Sequence, residues 1–422
     1  MTDFDVVDFF TDQTLVPNPY PYFDHLRSKC PVTPATAFNV LAVTGYDAAL
    51  SVYKNPAFSS CVSVAGPFSG MPITPGESDD VGELIDKHVR GIPMGEHITS
   101  QDPPVHTRTR SLMNTLLTPK RLKENEDFMW RLADQQLDTF LAKGGCEFLV
   151  DYAKPFSLLV IADLLGVPAE DHEDFKAVFD NETVGEIGSE APTSHNPLEW
   201  LNERFHRYLD ERRRAPREDV LTGLALAKYE DGSTPDLEDV VNLSTFLFAA
   251  GSETTTKLVS SAIRFMGDNP GSEERLRDDR SKIPAFLEET LRMESPVKAH
   301  FRMARTNTTI GDVAVPAGTT VMMLPGACNR DGDKFDNPHE FRADRSNVRE
   351  HIAFIRGVHS CPGAPLARAE GRISLNRILD RMTDIQISEK DHGPAENRHY
   401  QYEPTFIMRG LSELHITFTP VG

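Results

Sequence analysis

Cysteine is scarce in this chain and follows no pattern. Cys30, Cys61, Cys146, Cys328 and Cys361 are the only five in 422 residues, and no two form a C-x-x-C pair. That spacing argues against a structural zinc centre, and unpaired thiols fit a reducing compartment. Positive charge is also short. Lys and Arg number 44 against 64 Asp and Glu, a formal net charge of −20, so the chain lacks the potential that nonspecific nucleic-acid or anionic-membrane binding requires. The N-terminal stretch Met1–Phe10 carries three aspartates and no long apolar run, which excludes a signal peptide or a spanning helix there. A cytoplasmic protein without nucleic-acid partner or membrane anchor is expected. No Gly/Ser-rich linker, low-complexity block or repeat interrupts the chain, so residues 1–422 are read as one domain.

What the chain does have is one cysteine in an unusual setting, Phe354-Ile355-Arg356-Gly357-Val358-His359-Ser360-Cys361-Pro362-Gly363. Two glycines without Cβ let something flat approach the backbone. Pro362 suits a first helical turn, and Ala364–Glu370 reads as that helix continuing, which puts Cys361 at or near the N-cap. A helix N-terminus favours the thiolate, so the segment offers an exposed anionic sulfur of the kind that ligates haem iron. Two plainer readings stand beside it: a buried free cysteine packing as a small hydrophobe, and a zinc site using His359 and Cys361.

A second segment breaks local rules. From Thr234 to Asn269 there is no proline after Pro235. With Thr234 as N-cap, Pro235 in the first turn and Asn269-Pro270 as the stop, this predicts a helix of roughly 35 residues, about 50 Å long. Phe246–Ala250 is apolar all round and should be buried. Gly251-Ser252-Glu253-Thr254-Thr255-Thr256 then works against helix propensity. Either threonine hydroxyls bond back to the preceding turn and bend the helix, or the segment is a functional site, where such rules are most often broken.

The cysteine segment resembles the haem-binding signature of the cytochrome P450 family, F-x-x-G-x-x-x-C-x-G, with Phe354, Gly357, Cys361 and Gly363 on its defining positions. Ile355 departs from it, since the family usually has glycine or a small polar residue there. Ala250, Gly251, Glu253 and Thr254 resemble the family's A-G-x-[D/E]-T pattern, where the helix opens for dioxygen while the acid and the alcohol deliver protons. Glu289 and Arg292 resemble the E-x-x-R pair, and Arg345 the third member of its buried Glu-Arg-Arg cluster, in a stretch like the family's meander (Asp336–Arg345). The resemblance covers the chain from about Tyr22 onward.

From this resemblance follows a mainly α fold with a long central helix and a small β region; the residues themselves read as a hairpin across Ile310–Val321, with Gly and Pro marking turns, and a terminal strand at Leu414–Thr419. It implies haem b on the Cys361 thiolate, with His106, Arg110, Arg302 and His359 as partners of the propionates, which need cations or donors when buried. The implied activity is that of a haem-thiolate monooxygenase, inserting one atom of O2 into a hydrophobic small molecule such as a terpenoid, steroid or aromatic. No flavin- or iron–sulfur-binding segment is visible. Electrons are therefore expected from a separate ferredoxin or flavodoxin and its NAD(P)H-dependent reductase, with Arg356 and Arg368 as candidate contacts for an acidic donor. The rivals are a peroxide-driven peroxygenase of the same fold and a non-enzymatic haem-thiolate ligand binder. Gly66–Ser100 is expected to cover the substrate pocket, with Met94, Ile98, Ala249, Ala250, Val297, Ala299 and Phe406 as candidate contacts. Lys298 could pair with an acidic group on the substrate, although a lysine there more often points to solvent.

Overall fold

A helix of 32 residues runs through the helical part of the molecule, and the other helices are arranged around it. The computed structural model describes residues 3–35, 38–179, 187 and 198–421; Met1 and Thr2 lie outside them. The helices that position the site are α1 (Val105–Leu116), α2 (Pro119–Asp138), α3 (Lys154–Leu165), α4 (Glu199–Arg214), α5 (Leu237–Asp268, the central helix), α6 (Ile283–Met293) and α7 (Ala364–Arg381). Helix α5 packs against α3, α4, α6 and α7. It lies close against α3 at Gly251, where an added Cβ would lie 3.1 Å from the Ile161 side chain.

Helix α5 begins later than its sequence suggests. Asp236 is the N-cap and Leu237 the first helical residue. The lead-in is used otherwise: the Pro235 carbonyl accepts a hydrogen bond from Arg213 (2.8 Å), and the Thr234 hydroxyl is bonded by Lys228. Glu238 and Asp239 occupy the first turn, where the helix dipole favours acids.

The strands are β1 (Val32–Pro34), β2 (Leu41–Val43), β3 (Phe58–Ser59), β4 (Gly145–Glu147), β5 (His300–Ala304), β6 (Thr308–Ile310), β7 (Val313–Val315), β8 (Thr320–Met323), β9 (Met382–Ile387) and β10 (His415–Pro420). They form a five-stranded sheet in the order β1-β2-β8-β5-β3, a three-stranded sheet β4-β10-β9 and the hairpin β6-β7. The expected hairpin is therefore shorter than Ile310–Val321. It turns at Gly311 (φ 57°), and Gly318 (φ 85°) redirects the chain so that β8 pairs with β5 and β2 instead.

Side chains alternate across a strand, and β5 uses both faces. Phe301 and Met303 enter an apolar core with Phe10, Phe68 and Phe406. His300 and Arg302 consequently share the opposite face of β5.

Candidate active site

The cysteine loop is built on two left-handed residues. Gly357 sits at φ 77°, and a Cβ there would lie 2.5 Å from the Tyr53 carbonyl oxygen, so only glycine fits. Ile355, the departure from the signature, sits at φ 58°, a conformation unfavourable for a β-branched residue. The Cys361 N–H donates to the Phe354 carbonyl at 3.0 Å. Helix α7 starts at Ala364 with Gly363 as N-cap and Pro365 in its first turn, so Cys361 precedes the N-cap by two residues and Pro362 lies outside the helix. Burial raises the pKa of the thiol, against the lowering effects of the Gly363 and Ala364 backbone and of Arg110 and Arg368. Cys361 is partly rather than fully exposed, and its protein surroundings alone do not favour the thiolate; the positive charge of a bound metal would. Gly363 has ordinary φ, and an added Cβ would meet only the Cys361 sulfur, at 3.8 Å. Its missing side chain keeps the space beside the sulfur open.

Donors converge next to this loop. Arg302 is buried and among the described residues bonds only neutral oxygens, Ser63 Oγ at 3.2 Å and the Phe301 carbonyl at 2.8 Å. Arg110, reaching in from α1, donates to the Ser360 carbonyl at 2.7 Å. The rings of His106 and His359 lie 4.1 Å apart, and His359 Nε2 is 2.8 Å from Ser60 Oγ. Burial lowers the pKa of His106 to about 4, helped by Arg110. The same causes act on His359, where Arg302 is the first charged neighbour. His106 Nδ1 and both nitrogens of His300 are buried without hydrogen-bond partners. Among the described residues, no carboxylate is hydrogen-bonded to any of these five side chains. Two buried carboxylates would satisfy such a set, so the residues present fit a haem and its propionates. His300 escaped the sequence reading; its signal was its place two residues before Arg302 on the same strand face.

On α5, the segment Gly251–Thr256 is uninterrupted α-helix rather than locally open. The Thr254 hydroxyl donates to the Ala250 carbonyl at 2.7 Å, and that of Thr256 to Ser252 at 3.0 Å. The threonine hydroxyls therefore bond back to the preceding turn. Glu253 pairs at 3.1 Å with Lys257, one turn further along, not with Thr254.

Comparison with known proteins places this geometry. The family model described as Cytochrome P450 matches residues 193–399. Cytochrome P450 monooxygenase PikC of Streptomyces venezuelae is 30% identical over 410 residues, covering 96% of this chain and 92% of that protein. The chain belongs to the cytochrome P450 family. The substrate-free structure of Mycobacterium marinum cytochrome P450 CYP150A6 is 57% identical, covers both chains completely and superposes with a TM-score of 0.92. The structure of CYP109E1 from Bacillus megaterium in complex with testosterone is 29% identical, covers 95% of this chain and 99% of that one, and gives a TM-score of 0.77. This P450 is thus a monooxygenase of bacterial type, from a family that carries haem on a cysteine thiolate. Among the described residues no helix is long and apolar enough to cross a membrane.

The scaffold beneath this P450's cysteine loop comes from two consecutive glutamates on α6. Glu289 and Arg292 are completely buried; Arg292 Nε donates to Glu289 Oε2 at 2.7 Å and its Nη2 to Oε1 at 2.8 Å. Arg345 Nε donates to the same Oε1 at 3.0 Å. Both arginines also hold carbonyls of 337–340. Glu288 faces the other way, to His351 at 2.9 Å and Arg368 at 2.5 Å. Its pKa falls to about 2: burial pushes it up, and hydrogen bonds from His351 and Arg368 outweigh that. Phe354 lies under the Arg368 guanidinium, 4.7 Å from its ring centre. Arg368 is thus anchored by Glu288, and Arg356 turns back onto the carbonyls of Arg349 and His351.

The candidate substrate contacts separate into two groups. Ile98 belongs to the helical core, with Met94 and Ala249 packed against it, and Met94, Ala249, Ala250 and Val297 each keep some surface. Ala299 and Phe406 keep essentially none, being packed with Phe10 and Phe301, so they offer no surface to a cavity here. Lys298 is buried, not solvent-facing, with its ammonium 5.7 Å from the Phe9 ring centre. A separate cavity of about 170 Å3, lined by Phe38, Pro67, Met71, Ile73 and Met303 among others, shares no residue with the cysteine loop or the donor cluster.

Proposed function

We propose that this P450 hydroxylates a hydrophobic small molecule of terpenoid, steroid or aromatic type, with Cys361 as the ligand to iron and with His106, Arg110, Arg302 and His359 holding the propionates. The observation that carries this reading is the convergence of buried, carboxylate-free donors beside the cysteine loop. When bound, haem with a thiolate ligand supplies dioxygen activation and insertion of one oxygen atom into a C–H bond. The chain's own contributions are distinct. The donor cluster orients the carboxylates, while Gly357 and Gly363 keep the loop and the space beside the sulfur clear. Met94, Ala249, Ala250 and Val297 provide apolar surface, with Ile98 packed behind them in the helical core, which supports a hydrophobic substrate, as does the testosterone in the CYP109E1 complex. Glu253 and Thr254 are the proposed acid and alcohol of proton delivery. Electrons come from a separate ferredoxin or flavodoxin with its NAD(P)H-dependent reductase, and the cysteine loop, where Val358 is 58% exposed, marks the proposed docking face, with Arg356 and Arg368 as the proposed contacts.

One observation favours a second reading, peroxide-driven turnover: the Thr254 hydroxyl is committed to Ala250, and Glu253 to Lys257. Two measurements decide. The reduced carbon monoxide complex is expected to show the strongly red-shifted thiolate band, and Cys361→Ser to lose it; a variant that keeps the band removes Cys361 as ligand. Turnover is expected with a surrogate ferredoxin system and little with peroxide alone; the reverse pattern establishes the peroxygenase.

A further inference from the structure

Lys298 is 4% exposed, and among the described residues its ammonium makes neither a hydrogen bond nor an ion pair. Its nearest aromatic face is that of Phe9, with the ring centre 5.7 Å away. The backbone around it is fixed. The N–H groups of Lys298 and Ala299 both donate to the Ile407 carbonyl, at 2.7 and 3.2 Å, and Val297 bridges to Met408. Two residues set against one form a bulge, which re-aims a side chain. Ala299 and Phe9 belong to the apolar core with Phe10, Phe301 and Phe406, so the lysine stands among apolar groups.

The carboxylates nearest to it are committed elsewhere. Glu403 attracts Lys298 from a distance but gives both oxygens to Lys257, at 2.8 and 2.6 Å. Glu294 takes Arg409 at 2.9 Å and also faces Arg264 and Arg330, at 3.6 and 3.8 Å. Arg409 itself repels the lysine. A buried charge without a partner is costly, and such departures from local rules concentrate at functional sites. The position fits one. Lys298 follows Val297, which keeps some surface, and leads into β5, whose His300 and Arg302 join the donors beside the cysteine loop. We propose that Lys298 is a specificity-determining residue that takes the carboxylate of an amphipathic substrate, so that the molecule oxidised is a terpenoid or steroid acid. This rests on, and narrows, the reading of the protein as a hydroxylase of hydrophobic small molecules. One ammonium balances one carboxylate. A phosphate monoester, close to doubly charged at neutral pH, would leave charge unpaired among these apolar side chains.

The test uses the substrate-free holoprotein with lithocholic acid and abietic acid, each against its methyl ester. Binding is read from the low-to-high spin shift of the ferric haem. Wild type is expected to bind the acids about tenfold or more tighter than the esters, and Lys298→Met to lose that preference while keeping the affinity for the esters. A second readout needs neither turnover nor a spin change. Burial and Arg409 bring the lysine's pKa down to about 7, and a bound carboxylate favours the ammonium. Calorimetry in buffers of different ionisation heat is therefore expected to show uptake of about one proton per acid bound at pH 8 and about none at pH 6, with no uptake for the esters. This count is made on the wild-type protein and decides even where the variant folds poorly. Esters bound as tightly as acids, a preference that survives in Lys298→Met, binding of neither acid, or no proton uptake at pH 8 overturns the inference. The reduced carbon monoxide complex separates it from its premise. With the thiolate band present, these failures remove the carboxylate preference alone; without the band, the haem-thiolate reading falls as well.

Discussion

Ile355 and Gly357 share one backbone conformation and have opposite reasons for it. At φ 58°, a β-branched residue carries strain of order 1–3 kcal/mol, while the Ile355 side chain regains part of this by packing against the core around Val43 and Phe335. Replacing it with glycine removes the strain and the packing together. Ile355→Gly is therefore expected to change stability by no more than about 1 kcal/mol, far less than most isoleucine-to-glycine changes. Gly357 has no such latitude, because a Cβ would meet the Tyr53 carbonyl at 2.5 Å. Gly357→Ala should cost about 2 kcal/mol or more and lower the haem content. Urea unfolding of both holoproteins checks the pair; an Ile355→Gly variant losing as much as Gly357→Ala would show that strain at Ile355 is not what sets the loop.

At the scale of elements, α6 ties two separate segments by consecutive glutamates, and the ties differ in strength. The Glu289–Arg292 pair is wholly buried, so Arg292→Ala leaves a carboxylate with Arg345 as its remaining cation and unbonded carbonyls around it, a loss of about 3–5 kcal/mol. Arg368 is 42% exposed but its partner Glu288 is buried, and His351 still holds Glu288, so Arg368→Ala should cost less than the Arg292 change, about 1–3 kcal/mol. Equal losses in chemical denaturation would mean that the burial of the first pair is not what makes it strong. The first tie was legible only through the family resemblance, because Glu289 and Arg292 one turn apart on a helix read by themselves as an ordinary surface pair and nothing local points to Arg345. The sequence was mute about the second, because Glu288, His351 and Arg368 sit on three elements. The same distinction runs through the fold. The terminal strand and the central helix announced themselves by local pattern, but the capture of β8 by β5 and β2 depends on contacts that no local pattern encodes. The helical Gly251–Thr256 segment likewise departs from propensity, with Gly251 close against Ile161 and the Thr254 and Thr256 hydroxyls bonded back to the preceding turn.

For the whole molecule, an excess of acid on the surface conceals a basic interior. The formal net charge is −20, yet Lys257, Arg264, Arg292, Lys298, Arg302 and Arg409 are all buried. Five of these have been given partners or a proposed one in haem or its neighbourhood: Arg264, for instance, bonds Asp268 at 3.3 Å. Lys298 is the exception, with no hydrogen bond or ion pair of its ammonium among the described residues. Burial, then the repulsion of Arg409, drives its pKa down to about 7, with Glu403 pulling only weakly the other way. A folded-state value below the unfolded value of about 10.4 means that the unfolded chain holds more protons between these limits. The penalty of burying this lysine is then fully present below pH 7, shrinks as pH rises, and vanishes above about pH 10.4. Lys298→Met should therefore stabilise the protein at and below pH 7 by of order 2–4 kcal/mol, with the advantage falling steadily toward pH 10. Urea denaturation of wild type and variant at several pH values across this window gives the difference directly, and changes common to both proteins cancel. A gain independent of pH would assign the effect to apolar packing of the methionine and leave the ammonium uncharged or paired in the folded state.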